Sequence, residues 1–397
     1  MIWSIITSLN AQTFRTEAFS DRIRTLQVSA AGYWDSDAII ELAGDEPIEI
    51  RFDALGASFE SFTYTITHCN ADWTPSQLLS SEYMIGFQHN YLTDYTNSFN
   101  TKMDYVHYSL SLPNENTSFL ISGNYVVQIF SDQDSENPVL NACFSVLERK
   151  ADIQMQVTSI TDKGINNKYQ AVDFEVNYGN EIKSPFQDLK VYVQQNNRYD
   201  NEAKLVKPIS VQNRKAFYNH QPALIFDAGN EYRSFEMTTT RYAGLNVETV
   251  EYHSPYYHTI LRTNRIRTTY IFTEDINGRI LTRNIDTEDP DTEADYHIVH
   301  FFLLCENPFP DKVYILSQAF NNQLNEHSQM EYSPIDKGYV KSVLLKEGYY
   351  NYIYTTRGNS TEGNFYQTEN EYSVMVYSRT PGMRYDQLIG FQTLQFK

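Results

Sequence analysis

Nine histidines and three cysteines are the side chains in this 397-residue chain best suited to metal or nucleophilic chemistry. Their spacing limits what they could do. His297 and His300 stand three apart in a run that reads as a strand, which sends their rings to opposite faces, so they cannot share an ion. His253 and His258 flank SPYY in an expected loop, where a chelate is geometrically feasible but no acid or cysteine cluster adjoins it. His68-Cys69 has the residue types of an imidazole–thiolate nucleophile. Neighbours in a strand diverge, however, and no oxyanion-forming glycine accompanies them. From Asp286 to Asp295 runs DTEDPDTEAD, six carboxylates in ten residues. Acids at alternate positions can bind calcium, but the glycine that turns a calcium loop is missing, so a solvated interdomain loop is expected. The sequence shows no serine elbow and no phosphate-cradling glycine loop. The expectation is a protein without catalytic residues, cofactor or metal. Cys69, Cys143 and Cys305 are few, odd in number and lack CxxC spacing. Three buried thiols are expected, with a Cys69–Cys143 disulfide left open for an oxidising compartment.

The elements that carry these residues read as strands almost throughout. A chain of this length exceeds a single core, so two or three domains are expected. The 31 tyrosines and 23 phenylalanines favour half-wet pleated surfaces, where a ring packs and a hydroxyl reaches water. Residues 12–149 read as one sandwich. Ile48, Ile50 and Phe52 alternate with Glu49 and Arg51, Phe62, Tyr64 and Ile66 alternate with threonines, and further strands fall at 105–112, 125–130 and 142–147. Thr74-Pro75-Ser76-Gln77 fits a capping box for one or two helical turns from Gln77 to about Tyr83. Alternation resets after Arg149-Lys150, and a middle β domain, 150–288, opens with Ile153, Met155 and Val157. Asn277-Gly278, between 270–272 and 279–281, is a type I′ hairpin signal assigned to that domain. A third sandwich, 289–397, takes a central strand at 296–305, strands at 311–316 and 339–345, a hairpin of 348–354 with 372–377, and a last strand at 388–396. The fold class is all-β: tandem antiparallel β-sandwich domains of immunoglobulin or fibronectin type.

The charge balance, 31 − 50 = −19, argues against nucleic acid and anionic membranes as partners, since both need a basic face. No stretch reaches the roughly 18–20 apolar residues of a membrane span. Residues 1–11 (MIWSIITSLNA) resemble the end of a signal peptide with Ala11 at the cleavage position, and the missing basic leader points to a start codon further upstream. Two aromatic or Arg/Met-bearing segments have interface composition: Tyr256 and Tyr257 beside a proline, and Arg379, Met383, Arg384 and Tyr385 around Pro381-Gly382.

The segment GNFYQTENEYSVMVYSRTPGMRYDQLIG, Gly363 to Gly390, resembles the C-terminal signature of the plug-protein family of the Bacteroidetes type IX secretion system. FDAGNEYRSFE (from Phe226), EDINGRI (from Glu274), ADYHIVHFFL (from Ala294) and FPDKVYILSQAFNNQ (from Phe309) are similar to the same family in the same order. The resemblance covers most of 150–397. It implies a periplasmic, non-enzymatic protein, monomeric when free, that closes the periplasmic opening of the outer-membrane translocon barrel when no substrate carrier is bound. It supplies no site residues. The alternative is a carbohydrate-binding or adhesion-type sandwich, since exposed rings stack on sugars.

Overall fold

A computed structural model describes residues 13–30, 33–356, 358 and 361–397, so the leader expected over 1–11 lies outside the described residues. The chain is all-β in tandem sandwiches, as its alternation implies. In the first, Ile23–Ala30, Ile48–Leu55, Tyr105–Leu112 and Asp94–Asn97 form one sheet. The facing sheet runs Glu17–Ala18, Asp134–Leu147, Gly123–Ser131, Phe62–Cys69, Asn90–Tyr91. Ile48, Ile50 and Phe52 are fully buried because their alternating partners take the other side. Phe52 stacks on Tyr108 with centroids 5.2 Å apart and meets Phe62 edge-on at 5.6 Å. The helix expected from Gln77 is a single turn, Ser80–Tyr83. Thr74 does not cap it: its hydroxyl donates to Asp72 at 2.6 Å, and Glu82 accepts the Leu79 N–H at 2.8 Å instead.

The second core differs from expectation in where its last strands come from. Asn370–Ser378 pairs with Leu189–Gln195 on one side and Gln387–Phe396 on the other, and Tyr372, Val374, Val376 and Ile389 are buried with Val172, Val191 and Val193. The hairpin of 348–354 with 372–377 does not form, and the final strand completes the second sandwich and not the third. The register explains the preference: Val374 sits opposite Val193 and Val376 opposite Val191, pairs of branched side chains that fit a pleated ladder. Gly348–Thr355 pairs with Arg233–Met237, Ile280–Thr282 and Tyr314–Leu316.

The third core therefore lies in chain order between the two halves of the second. Its larger sheet runs Val247–His253, Tyr256–Leu261, Tyr296–Leu304, Gly338–Lys346, Glu331–Ser333, and the pairing of Tyr256–Leu261 with Tyr296–Leu304 is parallel. Asn277 and Gly278 take the positive φ of the expected turn, 53° and 82°. A Cβ at Gly278 would strike the Tyr232 ring. Residues 270–272 form no strand: the Asp275 carboxylate accepts the N–H groups of Asn277 and Tyr232 at 2.7 and 2.5 Å, and Ile271 and Phe272 face solvent. The strand that follows it, Ile280–Thr282, joins the third core and not the middle domain. Among the described residues no helix is long and apolar enough to cross a membrane.

Candidate functional site

The polar residues that do most here lie in the seams between sandwiches. Asp53 belongs to the first and Lys346 to the third; each is 1% exposed and they meet at 2.6 Å. The same carboxylate accepts from Tyr296 Oη at 2.6 Å and lies 2.7 Å from His107 Nδ1. Burial opposes ionisation of Asp53, but Lys346 and His107 together outweigh it and hold the carboxyl below its ordinary value. Lys346 also donates to the Asp291 carbonyl and lies 4.2 Å from the centre of the Tyr105 ring.

The acidic loop is solvated over its first half, where Asp286, Glu288 and Asp289 are exposed, and joins this seam over its second. Asp295 is buried and accepts the N–H groups of Lys102 and Met103 at 2.8 and 3.2 Å, Asp291 lies 3.3 Å from Arg51, and Asp286 pairs with Arg241. Among the described residues no three His, Cys, Asp or Glu side chains are placed to hold an ion as they stand.

The seam between the first and second sandwiches is built by the turn after Pro381. Asp386, 1% exposed, accepts the Ala71 N–H at 3.0 Å and is flanked by Lys190 and Arg379 at 2.9 and 2.8 Å. Arg379 donates to Asn70, Arg384 pairs with Glu82, and the Tyr385 ring meets His68 edge-on at 5.4 Å. Gly123 lets this turn approach, for a Cβ there would strike His68 and the Asp386 carbonyl. Thus Arg379, Arg384 and Tyr385 make contacts within the chain, and Met383 is half-buried beside them. Tyr256 and Tyr257 sit elsewhere, in a strand of the third sandwich where a loop was expected. Tyr257 stacks on His297 at 5.0 Å and Tyr256 is half-buried near the hairpin tip.

Several residues of reactive type are buried. His68 and His297 are buried, and burial pulls both imidazoles down to about 4. All three cysteines are buried free thiols; burial raises Cys69 and pushes Cys143 up to about 12, so neither supplies a thiolate. Burial raises Glu231 and Glu347 to about 7 and Asp275 to about 6. Of these, Glu347 accepts the Asp295 N–H at 2.9 Å and holds Asn284 at 2.7 Å, which ties it to the seam. Two clefts lie between the elements, about 470 Å³ between Ile23–Leu26 and Leu344–Lys346 and about 850 Å³ beside the Arg198–Asp200 pair.

One surface stands out that the sequence reading missed. The chain from Met84 to Phe99 crosses between the two sheets of the first sandwich in short strands, leaving Ile85, Phe87, Tyr91 and Phe99 61%, 77%, 67% and 66% exposed. Phe59 and Tyr95 extend the ribbon with rings 4.5 Å apart. Exposed aromatics this dense mark an interaction surface more often than a solvated one. Its sequence, MIGFQHNYLTDYTNSF, lacks alternation, and only its aromatic density could have flagged it.

Residues 23–148, which include this ribbon, match the family model described as "Type 9 secretion system plug protein 1st domain". Among solved structures, the crystal structure of a hypothetical protein from Parabacteroides merdae ATCC 43184 is similar at 44% identity and a TM-score of 0.95, over 97% of this chain and 100% of its own. No curated protein matches the chain.

Proposed function

This chain belongs to the type 9 secretion system plug protein family, and from that premise we propose that it acts by shape, closing the periplasmic opening of the outer-membrane translocon barrel when no substrate carrier is bound. Family membership gives the coarser role, association with type IX secretion machinery. The finer role is favoured by one observation above others: the sandwiches are tied together by buried charges at two seams, Asp53–Lys346 and Asp386 with Lys190 and Arg379. A stopper must keep its outline under load, and seams of this kind resist the relative rotation that ordinary interdomain contacts allow. The exposed ribbon from Ile85 to Phe99 offers apolar area for seating, and the charge of −19 keeps the unseated protein dispersed.

The test is copurification of the translocon barrel from outer-membrane extracts with the intact protein, set beside a Phe87→Lys/Tyr91→Lys variant. The expected result is recovery of the barrel with the wild type and its loss with the variant at unchanged thermal stability, since both residues face solvent. Absence of the barrel from the wild-type eluate would overturn the proposal.

A further inference from the structure

The solvent side of the third sandwich's larger sheet carries a row of imidazoles. Glu251 stands directly across from His258, His253 across from Tyr256, and His300 across from Ser342. His258 is opposite Ile298, two residues from His300 on the same strand face. Residues paired across a ladder share a face, so His253, His258, His300 and Ser342 all project to one side of four successive strands. The opposite side carries Thr259, His297 and Val299 into the interior.

His258 Nδ1 and His300 Nε2 lie 2.9 Å apart, His300 Nδ1 lies 2.9 Å from Ser342 Oγ, and the His253 ring centre is 5.3 Å from that of His258. We propose that His258 and His300 form an open binding site for a divalent transition metal such as Zn²⁺ or Cu²⁺, with His253 turning in as a third ligand. Two metal–nitrogen bonds of about 2.0–2.1 Å meeting at about 90–110° hold their nitrogens roughly 2.9–3.4 Å apart, a separation the pair already has. Imidazole suits zinc, copper and nickel, whereas calcium and magnesium need oxygen ligands.

The Ser342 hydroxyl adds a supporting contact. In the tautomer that carries its proton on Nδ1, His300 donates to this hydroxyl and leaves Nε2 with a bare lone pair facing His258, the outer contact by which ligating histidines are usually oriented. When the His258 proton rests on Nε2, its Nδ1 is bare as well, and two lone pairs point at one space. When that proton rests on Nδ1, the same geometry is a plain hydrogen bond; a metal ion displaces it. The His253 side chain is 65% exposed and pairs with Glu251 at 3.1 Å on the surface, so its ring can rotate towards His258 without disturbing the core. The remaining coordination positions are open to water or to a donor from a partner.

The experiment uses the untagged full chain, titrated with Zn²⁺ by calorimetry and with one equivalent of Cu²⁺ for electron paramagnetic resonance. One ion should bind, and the copper spectrum should show two or three equatorial nitrogens. His258→Ala and His300→Ala should each weaken binding by about tenfold or more, with melting temperature in chelator unchanged because both rings face outward; His258→Gln and His300→Gln serve if an alanine variant folds poorly. His253→Ala should remove one nitrogen from a three-nitrogen spectrum. A wild-type copper spectrum with a single nitrogen, or zinc affinity untouched by the His258 and His300 variants, would overturn the proposal. Because the plug reading is tested by barrel copurification, failure of one leaves the other standing.

Discussion

Replacing Lys346 by methionine should destabilise the protein by about 3–5 kcal/mol, because it leaves the Asp53 carboxylate inside a seam without the ammonium that offsets its burial. Both side chains are 1% exposed, so neither water nor salt screens the loss. Tyr296 and His107 keep their contacts to Asp53, which argues for the lower half of that range. Methionine conserves most of the stem volume, so the cost is electrostatic and not a cavity. Urea unfolding at pH 7 followed by tryptophan fluorescence, which reports Trp34 and Trp73 of the first sandwich, gives the difference; hydrogen exchange at Gly338–Lys346 gives it in the third.

The pH dependence carries the sign. In the wild type the folded Asp53 value is depressed, so its contribution is present above the unfolded value of about 3.9 and lost as pH falls through the folded one. In Lys346→Met the balance tilts to burial, the folded value rises, and the penalty shrinks on acidification. Adding Asp53→Asn, which removes the stranded charge, should restore about half or more of the lost stability. A single variant within about 1 kcal/mol of wild type, or a double variant no better than the single, would refute the reasoning.

Glu347→Gln should stabilise the protein at pH 8 by up to about 3 kcal/mol, because burial makes the ionised acid costly while an amide oxygen still accepts the Asp295 N–H. A raised acid contributes stability below its unfolded pKa and loses it as pH rises through the folded value of about 7, so the gain should fade on going from pH 7 to pH 4; a gain independent of pH in urea melts sinks the assignment. Asp386→Ala, which removes the acceptor altogether, should cost about 1–3 kcal/mol and expose the Ala71 amide to exchange while leaving Tyr296–Leu304 protected. An Ala71 amide as slow as in wild type would show that the turn after Pro381 does not hold the first seam.

Strands were legible because one buried face imposes a two-residue period, as at Ile48, Ile50 and Phe52. Their neighbours were not, because the period fixes which way a side chain points and not which strand lies beside it. Tyr372, Val374 and Val376 alternate equally well against Gly348–Thr355 or Leu189–Gln195, and only the match with Val191 and Val193 decides. Asp53 illustrates the same limit for the seams. It shares its strand face with Glu49 and Arg51, the polar side of an alternating run, and is buried only because another sandwich covers it. The Lys346-Glu347 pair at a strand end reads as surface for the same reason. His258 and His300 come together through a parallel pairing between strands far apart in sequence, which spacing within one strand cannot reveal. The turn around Pro381 has interface composition, but its described contacts are within the chain.

The interruption of the second sandwich by the third also sets an order of assembly. A growing or translocating polypeptide can complete the first body after Leu147 and the inserted one after Thr355, yet Val191 and Val193 stay uncovered until Asn370–Ser378 emerges. The middle body is the keystone. It closes after the other two, and in closing it brings Asp386 against Ala71, so the molecule acquires its final stiffness only once this body is complete.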